Sequence, residues 1–257
     1  MLRSLITALG LNAVPAVGWF VGEWSGGTML VLYWLETLIG TLLVAFRIVL
    51  HRRLRPSEGH WNYQAPPQGT DAPRSSSSSY LSAFLVPTLI FTGAHGFFLA
   101  VLGGMLIAKK NLTQEIAIEP DNLLAGLIGV AIFQLVDFFF DLVWLRTRPF
   151  AWIERMGQQT LSRVFVIHLT LIGGMAAVMF TGANRHFFGV FIVLKTMLNL
   201  SIITPQYQPK TPPAWLSNLM DRVKSSKNKN ISFAQFWKQT DDQEAARLAR
   251  NEKPMKR

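Results

Sequence analysis

Six stretches of this chain stay apolar for about the 20 residues that a helix needs to cross a bilayer, and almost every one is broken near its middle by a polar or ionisable residue. The stretches run over residues 4–22, 28–49, 82–108, 122–145, 159–181 and 187–204. Inside a membrane such runs satisfy their backbone groups only as helices, so the expected fold is all-α, a polytopic integral membrane helix bundle. Half of the 257 residues are hydrophobic, yet the formal charge is +10. Apolar spans joined by basic loops reconcile those two values, whereas a water-soluble domain rarely combines them. Cysteine is absent, which excludes disulfides, thiolate metal sites and cysteine nucleophiles. The first stretch follows Arg3 and has the length of a signal peptide, but no small-x-small cleavage site follows it, so it is read as a retained first helix. Pro15 is expected to kink that helix or make it partly re-entrant. Gly18, Gly22 and Gly26, spaced by four, read either as a ridge that admits a second helix or as a glycine-rich helix end.

The chain divides by composition into residues 1–50 with the first two spans, a serine- and proline-rich segment over 51–80, residues 81–204 with the remaining spans, and a basic tail over 205–257. The segment 51–80 has no apolar period and is expected to be a disordered cytoplasmic loop. Arg47, Arg52, Arg53 and Arg55 flank it, Arg146, Arg148 and Arg155 follow the fourth span, and the tail is basic. The opposite loops carry few unopposed basic residues, so both termini are expected on the cytoplasmic side of the inner membrane. In the tail, Trp215, Leu216, Leu219, Met220 and Val223 share one helical face beside Arg222 and Lys224. Trp215, Leu219, Arg222 and Lys224 are the expected contacts with anionic lipid headgroups. Thr240, followed by Asp241, Asp242 and Gln243, reads as a capping box opening a last helix. No nucleic-acid module is present, so membrane-surface or membrane-protein contact is favoured over nucleic acid.

At a rise of about 1.5 Å per residue, Asn12, Glu36, His95, Asp137, His168 and Lys195 fall near one depth, one from each span. Gln134, Asp137 and Asp141 share a face of the fourth span, and Lys195 and Asn199 share one on the sixth. Asp141 is expected to pair with Arg146 or Arg148. Charged residues within a span usually face the bundle interior and mark a functional site. Three readings of the layer stand open. It holds the helices in register; or it is a solute, cation or proton site of a transporter-like protein; or it binds a divalent metal. In the second, Glu36 and Asp137 take the cation or proton, the histidines relay it, Lys195 is the counter-charge, and Gln134 and Asn199 line the site. In the third, His95, His168, Asp137 and Glu36 ligate the metal and activate water. A scaffold or assembly protein acting through its basic tail is a further alternative. GxxxxGKS/T, HExxH, GxSxG and GxGxxG are all missing, which argues against ATP-driven transport by this chain alone and against a standard serine hydrolase.

Asn12-Ala-Val-Pro15 with Gly18 and Trp24, Tyr33-Trp34-Leu-Glu36 with Ile39-Gly40, His95-Gly96, Arg163 with His168 and Gly173, and Leu194-Lys195-Thr196 occur in this order. Together they resemble a bacterial and archaeal family of polytopic membrane proteins catalogued as domain of unknown function 6498. The resemblance spans residues 10–203, leaving the serine-rich segment and the basic tail outside it. It implies a membrane fold and draws attention to Glu36, His95, His168 and Lys195, but it implies no activity. Asn199 stands where the resemblance leads one to expect an acid, which leaves Lys195 to find Glu36 or Asp137.

Overall fold

The computed structural model describes residues 2–66, 78–108, 117–181, 184–203, 209, 211–222 and 232–255, with side chains left out at 2–4, 102, 105–108, 166–188, 198–199 and 202–203. Among the described residues the chain forms eight α-helices and no strand: α1 Leu2–Phe20, α2 Gly26–Leu54, α3 Tyr80–Ala108, α4 Pro120–Trp144, α5 Phe150–Thr181, α6 Asn184–Ile203, α7 Ala214–Arg222 and α8 Phe233–Glu252. Among the described residues three segments, Gly26–Leu54, Tyr80–Val101 and Pro120–Thr147, are long and apolar enough to cross a membrane. The chain divides into two compact units, Met1–Arg55 with Leu81–Thr204, and Pro56–Tyr80 with Pro205–Arg257.

The first unit is organised on α2 and α4. Ser25 caps α2, its hydroxyl accepting the Thr28 N–H at 3.1 Å. The helix stops at Leu54 because Pro56 follows shortly, and His51, Arg52 and Arg53 in its last turn suit the negative end of the helix dipole. Partners climb together along α2 and α4: Glu119 meets Ser25, Gln134 meets Glu36, and Asp141 meets Arg47. The two helices therefore run parallel. At their far ends Arg55 donates to the carbonyls of Thr147 and Arg148, and His51 lies 3.0 Å from the Arg148 carbonyl.

Helix α1 is continuous through Pro15, with no re-entrant break. Its close approach to α4 runs through Gly10, where a Cβ would lie 2.3 Å from the Phe133 ring, and through Gly129, where one would meet Val14 at 3.1 Å. Gly18 and Gly22 serve a different purpose from the helix ridge considered above. A Cβ at Gly18 would stand 2.2 Å from Trp24, and one at Gly22 2.8 Å from it. The indole folds back from the α1–α2 turn, where Glu23 takes φ 49°, and fills the groove itself; Gly26 belongs to α2. On the outside of the unit Phe46, Ile90, Phe97, Ile132, Phe139 and Val143 are exposed. So continuous an apolar exterior suits hydrocarbon, not water.

In the second unit α7 forms as its apolar face suggests, but α8 begins earlier than the Thr240 motif implied. Ser232 accepts the Gln235 N–H at 3.3 Å while the Gln235 side chain accepts the Ser232 N–H at 3.2 Å. That reciprocal cap lies upstream, and no glycine or proline interrupts the chain between it and Thr240. Thr240 is consequently interior, its hydroxyl donating to the Phe236 carbonyl at 2.9 Å.

The segment expected to be disordered over 51–80 carries structure at its start. His51–Leu54 complete α2, Glu58–His60 form a 3-10 turn, and Ser57, His60, Tyr63 and Gln64 are buried. Its partners come from the far end of the chain. The Arg247 guanidinium donates to the Gln64 carbonyl at 2.7 Å, and the Asn251 amide exchanges two bonds with the Gln64 backbone at 3.0 and 3.1 Å. Of the serine run, residues 75–77 lie outside the described residues, while the Ser78 carbonyl accepts the Tyr63 N–H at 3.2 Å.

Candidate intramembrane site

Glu36, in the middle of α2, meets Lys195 of α6 at 2.6 Å. Lys195 is 2% exposed and Glu36 9%, so the pair is closed to solvent. The Lys195 ammonium also stands 4.3 Å above the Tyr33 ring, and that ring packs edge-on against Phe191, one turn before Lys195. Tyr33 thus gives the cation a second electron-rich surface where water is excluded. Gln134 of α4 donates to the Glu36 backbone carbonyl at 2.9 Å. It lies against α2 beside Gly40, where a Cβ would make ordinary van der Waals contact with the Gln134 oxygen at 3.6 Å. Three polar atoms around this pair are buried without a hydrogen-bond partner among the described residues: the Tyr33 hydroxyl, Gln134 Oε1 and Arg163 Nε. The Arg163 charge, from α5, couples to both Glu36 and Asp137.

Asp137 belongs to another station. Arg47, 4% exposed and eleven residues beyond Glu36, holds Asp137 at 3.1 Å and Asp141 at 3.0 Å. The expected partners of Asp141, Arg146 and Arg148, lie beyond the end of α4, whereas Arg47 faces it directly across the parallel seam. Arg148 instead stands over the Trp152 ring at 5.5 Å. Asp137 and Glu36 each bond their own basic partner, Arg47 and Lys195, while Asp137 lies one turn along α4 from Gln134, which meets Glu36.

A third polar station closes the opposite end of the seam. Glu119 accepts from the Ser25 N–H at 3.1 Å and from the Asn122 amide at 3.0 Å, and its own N–H donates to the Thr28 hydroxyl at 2.9 Å. The Ser25 hydroxyl donates to the Ala117 carbonyl. The Ser25 backbone bond, followed by the Asn122 bond, holds the Glu119 carboxyl below its ordinary pKa. The sequence reading missed Glu119 as a functional contact. Its signal was an acid immediately before Pro120, at a helix start.

His95 is buried on α3, one turn from Thr92, whose carbonyl accepts the Trp34 indole N–H at 2.9 Å. Gly96 lets the same indole in, since a Cβ there would stand 2.9 Å from it. Asn12 donates to Ala8 within its own helix at 2.7 Å. The side chains of His168 and Asn199 lie outside the described residues, as does Lys224. Among the described residues no three His, Asp or Glu side chains gather to hold a metal ion. Arg47, Tyr33 and Arg163 join the site without having been assigned a place in it from the sequence.

Three apolar helices of membrane length among the described residues, with charge pairs sealed between helices, are compatible with a helical membrane protein. The chain belongs to the Family of unknown function (DUF6498), whose model matches residues 2–229. The match is wider than the resemblance over residues 10–203; it takes in the serine-rich segment and α7 and stops short of α8. No curated protein and no solved structure matches the chain.

Proposed function

We propose that this protein is a six-span, transporter-like protein of the cytoplasmic membrane that binds a small solute, a cation or a proton around Glu36 and Lys195. The observation that carries this reading is the sealed Glu36–Lys195 pair beside the unpartnered Tyr33 hydroxyl and Gln134 oxygen. A pair serving only to hold helices together gains nothing from buried neighbours with unused hydrogen-bonding capacity, because each such atom costs about 1–3 kcal/mol. A polar ligand that engages those atoms offsets that cost. Protonation of Glu36, or its capture by a cation, frees Lys195, so occupancy of the site and the α2–α6 contact are linked.

The orientation draws support from the parallel course of α2 and α4. It brings Arg52, Arg53 and Arg55 to the same end as Arg146 and Arg148, while the other end meets at Ser25 and Glu119. By the positive-inside rule the basic end, and with it both termini, is cytoplasmic. Flux measurements on Glu36→Gln in proteoliposomes, with a pH-reporting dye inside, test the function. The expected result is loss of proton-linked flux with the helical content and thermal transition of a folded protein. Full flux with lowered thermal stability would reduce the pair to a helix clamp.

A further inference from the structure

We infer that α7 is a membrane-surface helix, lying in the headgroup region of an anionic leaflet with Trp215 and Leu219 inserted. This rests on the membrane reading of the chain and not on the Glu36–Lys195 site. Nothing on α7 is buried: Trp215 is 68% exposed, Leu219 50% and Met220 42%. Trp215, Leu219 and Arg222 stand at i, i+4 and i+7 on one stripe, so the apolar pair ends in a guanidinium. An indole flanked by a basic residue is the pattern of the bilayer interface, where the ring sits among headgroups and the cation reaches phosphate.

Charge selects the occupant. Residues 205–230 contain Lys210, Arg222, Lys224, Lys227 and Lys229 against Asp221 alone. That acid is already engaged, since its carboxylate accepts the Phe233 N–H at 2.9 Å and joins α7 to the start of α8. Five basic residues against this one acid leave the segment with a net positive charge, which complements anionic lipid. Covalent geometry gives the helix its surface: residues 204–213 join the end of α6 to Ala214, and a chain of that length reaches at most about 35 Å. A helix tethered this closely to the end of a span encounters the bilayer at high effective concentration.

The chain has no cysteine, so a single introduced thiol carries a spin label without competition. Leu219→Cys on the apolar stripe and Ala214→Cys on another face of α7 are labelled in the full-length protein. Each is reconstituted into vesicles of phosphatidylcholine alone or with phosphatidylglycerol. Oxygen serves as the lipid-phase relaxant and a nickel chelate as the aqueous one. The expected result is severalfold higher oxygen-to-nickel accessibility at position 219 than at position 214, a contrast that grows with phosphatidylglycerol and shrinks in high salt. Equal accessibility at the two positions in both vesicle types would overturn the proposal. Shielding of position 219 from both relaxants would also overturn it, because that identifies a protein surface, a partner or a second copy, as the occupant.

Discussion

Two ion clusters on one helix show how charge is handled in different parts of this bundle. At Glu36 a single carboxylate meets a single ammonium, and the side chains are 11% and 2% exposed. At Arg47, two turns from the basic end of α2, one guanidinium meets two carboxylates, and the side chain of Asp137 is 33% exposed. Direct ion pairing is one to one where solvent is excluded and two carboxylates to one guanidinium where a carboxylate retains some solvent, with Arg163 coupled to Glu36 and Asp137 alike. The difference follows from desolvation: an unmatched charge sealed in a low-dielectric interior costs several kcal/mol, while one that keeps part of its hydration costs far less.

That contrast is easiest to break at the sealed pair. Lys195→Met leaves Glu36 buried without its cation and should destabilise the protein by about 3–5 kcal/mol. The double variant Glu36→Gln, Lys195→Met should recover most of that loss, because no charge is then stranded. Thermal unfolding in mild detergent measures both. A double variant as unstable as the single would mean that packing of the lysine stem, and not its charge, sets the cost. Arg47→Met should cost less, about 2 kcal/mol, since Asp137 retains access to solvent. Asp141→Asn in that background should return part of the loss by relieving the two facing carboxylates. Losses of equal size at Lys195 and Arg47 would erase the distinction between the clusters.

The helices were legible because apolar runs of bilayer length leave the backbone no alternative, and the structure forms helices over all six predicted stretches. The pairing was less so. Counting residues along a span gives depth but not azimuth, so it does not show that Asp137 bonds Arg47 while Glu36 bonds Lys195. Arg47 read as a flanking loop charge because its neighbours Arg52 and Arg53 are such charges, yet it turns inward to α4. The clamp between Gln64 and Arg247 was illegible for another reason. Its members are separated by most of the chain, and each alone looks like a solvated polar residue. Ser232 with Gln235 could have been found, since a serine followed three residues later by glutamine just before an aromatic run is the same signal that was read at Thr240.

Gln134 sharpens the comparison on the sealed side. Gln134→Leu removes the bond to the Glu36 carbonyl and should cost about 1 kcal/mol, because that carbonyl keeps its own helical bond to Gly40. If Gln134 also binds the ligand, the variant should lose flux out of proportion to this small change in thermal stability. A parallel loss of both would assign the residue to packing alone.

The smallest expected effect lies at Glu119, at the end of the α2–α4 seam opposite Arg47. Its carboxyl is held below the ordinary value of about 4.3 chiefly by the Ser25 N–H, so the folded state prefers the ionised form. The stabilisation is therefore fully present above the unfolded-state pKa and is lost as pH falls through the lower folded-state value. Thermal transitions recorded between about pH 5 and pH 3 should fall for the wild type and flatten for Glu119→Gln, which keeps an acceptor oxygen but has no proton to take up. The difference should be small because the carboxyl is only partly buried and solvent screens it. Parallel acid limbs for the two proteins would mean that the α2–α4 seam closes without help from its outermost charge, leaving the two inner clusters to carry the alignment.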